Sequence, residues 1–476
     1  VFMKGRSNLN VRFAIKHFNS KNVQELKNTD PSKWYSMLKK MGGLEIQGGR
    51  LEIESLQGLT DVQCAEAVAE SFAAISQQYE KLDRTKLPAF LPAGRPEEVN
   101  VFQVIYHIKK LGKTKSTLPV DIPDKLRLEC AIDLAEPMTE IINSCLRDGK
   151  FPTSWRREWV TPVPKITGKL KTVKDVRKIA STSDYAKIYE SILRGWIVAD
   201  IGAKININQF AGKKGVGTEH MMVMLVDRVL SLLDQPGMTA VVMGAVDWMG
   251  AFDRQDPTKT AIKLINMGLR PSLVPVILEF LEDRKMVVRY NSATSKWYDL
   301  VGGSPQGSWN GQNSYIVGSD DNADHVPLED QYKYCDDLSI LELLMIGTLL
   351  THYDFLNHVA SDVGIDQLFL DPQHTSTQSN LDQIATWTNN NLMRLNENKT
   401  SYIIFTRARQ QFATRFTLNG SLLERKSTIK ILGMWLQQDG GWEVNTKELC
   451  KKAYARLSLL TKLKYSGTSI EDLVHI

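Results

Sequence analysis

The chemistry in this sequence begins with two carboxylates side by side, in Tyr334-Cys335-Asp336-Asp337, within a stretch from Gln331 to Leu338 that alternates like a hairpin. Adjacent carboxylates repel, and both stay ionised cheaply only when a cation lies between them. A hairpin tip that holds the pair suits Mg²⁺, a hard ion that takes oxygen ligands and keeps several waters. Upstream, Val241 to Val246 is a short Val-rich run behind a Pro-Gly turn, and it ends at Asp247. That run reads as a buried strand whose end presents a third carboxylate. Three such groups equip two-metal phosphoryl transfer, in which one ion activates an attacking hydroxyl and the other neutralises a leaving pyrophosphate. Each element alone has a plainer reading. A Tyr-x-Asp-Asp string arises by chance, and a lone aspartate after a strand is as often a turn or cap residue.

Two further features sit beside these acids in sequence. Phe252, in Ala251-Phe252-Asp253, would exclude a 2′-hydroxyl if its ring lay under an incoming sugar, although a core position is the commoner fate of a Phe. In Gly302-Gly303-Ser304-Pro305-Gln306-Gly307-Ser308 the glycines let backbone approach a ligand closely, and Gln306 offers both donor and acceptor. A plain turn is the alternative there.

The elements that must position these groups follow from periodicity. Residues 1 to about 40 are basic and helix-like, with a break at Gly42-Gly43. A helix is expected after the Thr60-Asp61 cap, with Ala65, Val68, Ala69, Phe72 and Ile75 on one face, running to about Leu87. A proline-bearing linker spans Leu87 to Pro96, and helix and short strand signals then alternate to about residue 235. Helices are expected from Pro257 to Met267 and Ser272 to Leu281, a strand from Lys285 to Tyr290, and a loop from Gly302 to Gly311. Strands Tyr402 to Phe405 and Ile429 to Leu436 precede a basic amphipathic helix from Asn445 to Lys464.

A chain of 476 residues with 42% apolar content can bury a sizeable core and is expected to form two to four lobes. Its longest apolar run, about Leu341 to Leu350, is too short to span a bilayer, and no basic-then-apolar leader opens the chain. Val1 is not an initiator methionine and the pattern is still helical near Ile476, so a longer polypeptide is expected. The five cysteines are scattered and never form a C-x-x-C pair, which points to a reducing compartment and away from a zinc site. Net charge is +5, but between Lys109 and Glu219 there are 21 Lys and Arg against 13 Asp and Glu. A basic lobe beside a more acidic one suits a nucleic-acid path that leads to a metal site; a solvated basic face would look the same.

The order of these motifs resembles the palm of reverse transcriptases, most of all those of non-LTR (LINE-like, jockey-type) retrotransposons. Other blocks resemble the same family: Asp30 to Trp34, Trp155 to Lys165 with Arg177-Lys178-Ile179, Gln209-Phe210 with Gly212 and Gly215 to Thr218, Leu395-Asn396 with Lys399-Thr400, and Ile431 to Leu436. The resemblance implies an α/β (α+β) fold of right-hand polymerase architecture, with an antiparallel palm sheet backed by helices. It implies an N-terminal extension and linker over 1–100, fingers over 101–240, a palm over 241–444 and the start of a helical thumb over 445–476. It also implies an RNA-directed DNA polymerase that takes template RNA, primer DNA and deoxynucleoside triphosphates, uses two Mg²⁺ ions or Mn²⁺ in their place, and works in nucleus and cytoplasm without a membrane. Asp247, Asp336 and Asp337 would carry the metals, Asp337 least directly. Lys165 and Arg177 would hold the triphosphate, Gln306 would contact the nucleotide and Phe252 would gate the sugar. Lys399 would protonate pyrophosphate, and Gly433 would lie in the primer grip.

One departure stands out. Where relatives carry an apolar, Leu-rich turn of helix after the Pro-Gln-Gly motif, this chain has Trp309-Asn310-Gly311-Gln312-Asn313-Ser314. The Trp309 indole is expected to supply the packing, and the amides of Asn310, Gln312 and Asn313 to face outward, because burying unpartnered amides is costly. The polar run also leaves open a catalytically idle descendant that binds RNA or serves as a scaffold. An RNA-dependent RNA polymerase is disfavoured by Phe252.

Overall fold

Buried apolar strands and amphipathic helices build a mixed α/β protein with antiparallel and mixed sheets. The computed structural model describes residues 50–91, 94–112, 118–166, 168–236, 239–345, 367–369, 375–407, 411–465 and 470–475. The expected N-terminal helix, the Gly42-Gly43 break and the Asp30 to Trp34 segment lie outside these residues. Cα packing separates Glu52–Leu432 with Gln438–Gly440 from a smaller unit that contains Gly433–Gln437 and the helix Glu443–Tyr465.

In chain order the strands of the larger unit that concern the site are β1 (Arg157–Pro164), β2 (Val176–Ser181), β3 (Thr239–Val246), β4 (Arg284–Tyr290), β5 (Ala293–Thr294), β6 (Tyr298–Leu300), β7 (Gln331–Tyr334), β8 (Asp337–Met345) and β9 (Ser401–Thr406). The central sheet runs from the short strand Glu424–Arg425 through β9, β3 and β8 to β7. β3 has antiparallel neighbours on both edges, and Val241, Val242 and Met243 are wholly buried. Helices Thr218–Leu233 and Ser376–Asn390 pack against this sheet. Such enclosure explains why β3 reads as an unbroken apolar run and not as an alternating one.

The second sheet has β1 in its middle, antiparallel to β2 and parallel to β4, with β5 and β6 paired to β4. Helix Asp61–Ser76 packs against β4, β5 and β6. It opens with a capping box between Thr60 and Gln63 and buries Ala65, Val68, Ala69 and Phe72, the expected face. It ends at Ser76, well before Leu87. There the Ser76 hydroxyl donates to Gly302 O at 2.8 Å and accepts from Val301 N at 2.8 Å, so the chain turns away to support that loop. The expected strand Ile429 to Leu436 is likewise two strands, Thr428–Ile431 and Met434–Gln437. Leu432 (φ 47°) and Gly433 (φ 93°) between them take left-handed backbone, which an extended strand cannot contain.

A buried ionic cluster ties the second sheet to the loops beside β3. Glu158 on β1 is 2.6 Å from the Arg284 guanidinium on β4 and 3.5 Å from Lys178 Nζ on β2. Lys178 also lies 3.5 Å from Asp253, and Arg284 donates to Gly303 O. All three side chains of the Glu158–Lys178–Arg284 set are buried. Burial alone would raise the Glu158 pKa, but the charges of Lys178 and Arg284 hold it below the ordinary glutamate value. Removing one partner leaves an uncompensated buried charge, which costs about 3–5 kcal/mol. Arg284→Met is therefore expected to lower stability by that amount in urea denaturation, and Glu158→Leu added to it to recover part of the loss. A neutral Arg284→Met would show that the cluster carries no stability.

Candidate active site

The pairing of β3 with β8 sets the geometry. Val246 stands opposite Leu338 in the antiparallel register, so Asp247, one residue beyond, comes beside Asp337, with Asp336 next at the hairpin tip. Cys335 turns the chain there in left-handed backbone (φ 60°). The buried Gln209 supports that turn: its Oε1 accepts from Cys335 N at 3.0 Å and from Ala211 N at 3.0 Å. Asp247 is held from the other side. Asn396 Nδ2 donates to Asp247 Oδ2 at 2.8 Å, Asn396 N to Asp247 O at 2.8 Å, and Asp247 N to Thr400 Oγ1 at 3.2 Å. Gln209 and Asn396 fall in motif blocks visible in the sequence, yet only the fold shows that they orient the acids.

Like charges are crowded here. Partial burial, then the charges of Asp336 and Asp247, push Asp337 up to about 6. Asp336 is raised by burial first and by Asp247 next, against the opposing pull of Arg177 and Lys399. A set of hard oxygen donors that repel one another is chemically suited to a divalent cation. Among the described residues no three His, Cys, Asp or Glu side chains by themselves enclose a metal ion. Mg²⁺ characteristically takes one or two carboxylates and completes its shell with phosphate oxygens and water.

The cations named from the sequence face the same place. Val163 pairs with Arg177 across β1 and β2, and Lys165 N donates to Asp175 O at 2.8 Å, which sets Lys165 beside Arg177. Strand alternation exposes Arg177 and buries Lys178. Burial, then the positive charges of Lys399 and Arg177, hold the Lys165 ammonium below the usual lysine value. Three mutually repelling cations make a place for a polyanion, which could approach the three carboxylates opposite only across divalent cations.

Phe252 is half-buried and stacks on the fully buried Tyr315, with ring centroids 4.7 Å apart and 26° between planes. Burial, and next the charge of Asp336, push the Tyr315 phenol well above its usual range, so the stack stands next to the acids. The glycine-rich loop lies against it. Ser304 N donates to Phe252 O at 2.7 Å, and a Cβ on Gly303 (φ 84°) would come 2.9 Å from Asp253 O. Gly307 (φ 130°) crosses β2 so closely that a Cβ would sit 2.5 Å from Ala180 O. Gln306 between them is half-buried, and its carbonyl accepts from Ala180 N at 3.2 Å. Asp247, Asp336, Asp337, Lys165, Arg177, Lys399, Phe252 and Gln306 thus belong to one unit, whereas Gly433 belongs to the smaller one.

The polar run after the loop differs from expectation. Trp309 to Gly318 form a helix, so the loop ends at Ser308, whose hydroxyl caps Gly311 N at 3.0 Å. Trp309 does not pack inward; it is 42% exposed, with the Arg194 guanidinium 4.2 Å from its ring centre. Asn310 points inward and is 1% exposed, with neither amide atom partnered. The cause is Glu190, a fully buried carboxylate that accepts from Ser308 Oγ at 2.5 Å and Asn310 N at 3.1 Å and fixes the start of this helix. Burial pushes Glu190 up to about 7. Glu190 sits in an ordinary helical pattern, and nothing near it in sequence marks its role.

Three curated proteins of Drosophila melanogaster align with the chain. One, named "Probable RNA-directed DNA polymerase from transposon BS", is 24% identical over 394 residues, covering 82% of this chain and 41% of that protein. The RNA-directed DNA polymerase from mobile element jockey is 25% identical over 327 residues, covering 67% of this chain and 33% of that protein. A third, from transposon X-element, is 25% identical over 186 residues. The chain is similar to the polymerases of non-LTR retrotransposons. It spans less than half the length of the curated relatives it matches. No family model matches it. Among the described residues no helix is long and apolar enough to cross a membrane.

The crowding of the acids has a measurable sign. An unfolded aspartate titrates near about 3.9, so between that value and about 6 the folded chain binds the extra proton at Asp337. Stability therefore falls as pH rises through this window, and the full penalty stands above it. In metal-free buffer Asp337→Asn is expected to melt higher than wild type at about pH 7.5, with the gap closing near about pH 4. A gap that is absent or independent of pH would contradict the crowding.

Proposed function

We propose that the chain is an RNA-directed DNA polymerase that extends a primer 3′-hydroxyl on an RNA template by two-metal phosphoryl transfer. The observation that carries this reading is the register that brings Asp247 beside Asp336-Asp337, opposite Lys165, Arg177 and Lys399. Asp247 and Asp336, with Asp337 less directly, hold divalent ions, Mg²⁺ with Mn²⁺ able to substitute. When bound, such ions neutralise triphosphate charge and lower the pKa of the attacking hydroxyl. Lys165 and Arg177 hold the triphosphate of the incoming deoxynucleotide, and Lys399 delivers a proton toward the leaving pyrophosphate. Asn396 keeps the Asp247 carboxylate in place, and Gln306 meets the nucleotide from the glycine-rich loop. Gly433 belongs to the primer grip, and residues 445–476 begin the thumb.

Asp247→Asn and Asp336→Asn are each expected to reduce primer extension below about one-hundredth of wild type. RNA affinity should stay nearly unchanged in both, because it rests on phosphate contacts by Lys and Arg. Normal extension in either variant would defeat the metal assignment. No incorporation by the unmodified chain, with either ion and a pre-annealed primer, would favour a catalytically idle RNA-binding protein, the reading that the polar run from Trp309 to Ser314 leaves open.

Phe252 rests on Tyr315 and leaves part of its ring uncovered, which suits a platform beneath a sugar. Phe252→Val is expected to raise ribonucleotide use relative to deoxynucleotide by about 10- to 100-fold. An unchanged ratio in a folded variant would make Phe252 a packing residue only.

A further inference from the structure

Around Trp309 lies a cavity of about 700 Å³ that the chemistry above does not use. Its volume falls within the roughly 300–1,000 Å³ of clefts that bind small organic groups. The wall is made of helix Asp184–Ile201, the segment from Ile205 to Lys214, and the first turns of helix Trp309–Gly318. The apolar part of the lining has Ala211 and Ile316 buried and Val198 exposed, while Gly195 and Gly212 keep it open. Lys110, Arg194, Lys213 and Lys214 also line it, and no carboxylate does.

Trp309 is the main planar surface in this cavity. Arg194 Nη2 donates to Gly212 O at 3.0 Å, and this bond holds the guanidinium over one part of the indole. Trp309 as a whole is still 42% exposed, which leaves room for a second flat group. An aromatic ring with flanking cations and no acid is the physical pattern of a single-strand stacking site: the ring takes the base and the cations take the adjacent phosphates. Ser191 and Asn313 are the neutral polar side chains of the lining, so base edges meet few partners and recognition is tolerant of sequence. The charge set disfavours a basic occupant and suits one that carries negative charge beside a flat group. A duplex is excluded because its bases are already stacked on one another.

We propose that this cavity binds an unpaired base of single-stranded nucleic acid, stacked on Trp309 and Arg194, with the neighbouring phosphates on Lys110 and Lys214. Trp309 stands three residues past Gln306, so in the chain the cavity follows directly on the loop proposed to meet the nucleotide. In the polymerase reading, on which this assignment of a strand rests, the occupant is template not yet copied. The unusual residue after the Pro-Gln-Gly motif is then a nucleic-acid contact and not a packing substitute.

The test uses the whole chain and a single-stranded oligouridylate carrying one 5-bromouridine. Irradiation is expected to crosslink it to the peptide that contains Trp309. Trp309→Ala should weaken its binding by about 5- to 100-fold without changing the dependence on salt, since stacking releases no counterions. Trp309→Phe should restore most of the affinity, and Lys214→Ala should reduce the salt slope by about one ion. Blunt RNA duplex should bind Trp309→Ala and wild type alike. Equal affinity of wild type and a normally melting Trp309→Ala for the single strand would overturn the site. So would crosslinks mapped only elsewhere, or an equal effect of Trp309→Ala on poly-glutamate, which would mark a general docking face for acidic chains. Primer extension assayed in parallel separates the two readings: extension without a Trp309 effect on binding defeats this site alone, and binding at Trp309 without extension defeats the polymerase reading alone.

Discussion

Asp247, Asp336 and Asp337 repel one another at the ends of neighbouring strands, and much of the larger unit is arranged to hold them there. The apolar strand β3 is locked between two partners, so the end that carries Asp247 cannot retreat. Gln209 fixes the turn before Asp336, and Asn396 fixes the Asp247 carboxylate from the opposite side. A rigid frame makes charge crowding useful, because donors that cannot move apart relieve their repulsion by taking up a cation.

The cations opposite depend on a different device. Lys165 directly follows β1 and Arg177 lies on β2, two strands that Glu158, Lys178 and Arg284 tie to β4. This cluster joins three strands and reaches Asp253 and Gly303, so it links the cationic hairpin to the glycine-rich loop and to the residue after Phe252. Buried ion pairs are poor sources of net stability, but they are demanding about geometry. Geometry is what a site with opposed charges needs.

The segment after the loop shows the same preference for position over local comfort. Glu190 and Asn310 are buried with polar atoms unpartnered, a local cost that secures the start of the helix following Gln306. With Asn310 turned inward, Trp309 is turned outward onto Arg194, and the cavity beside it opens to solvent with a cationic rim.

The acids, the glycine-rich loop and most strands and helices near them were legible in the sequence, because each depends on local signals. Apolar runs mark β3, alternation marks β4, and the Thr60-Asp61 cap marks the start of the helix at Asp61. The candidate site residues stood out by combination: a Tyr-x-Asp-Asp string alone arises by chance, but one that follows a buried apolar run ending in a third aspartate is a far rarer pattern. What the sequence alone could not decide was direction and partnership. Alternation on β2 does not say whether Arg177 or Lys178 faces the site; only the sheet against which Lys178 is buried settles it. The polar run at Trp309 reads as solvent-facing on cost alone, and a distant glutamate on another helix reverses that for Asn310. The early end of the helix at Ser76 and the turn at Leu432 likewise answer to contacts or backbone angles that no local pattern encodes. Periodicity is a property of neighbours in the chain, whereas orientation is decided by neighbours in space.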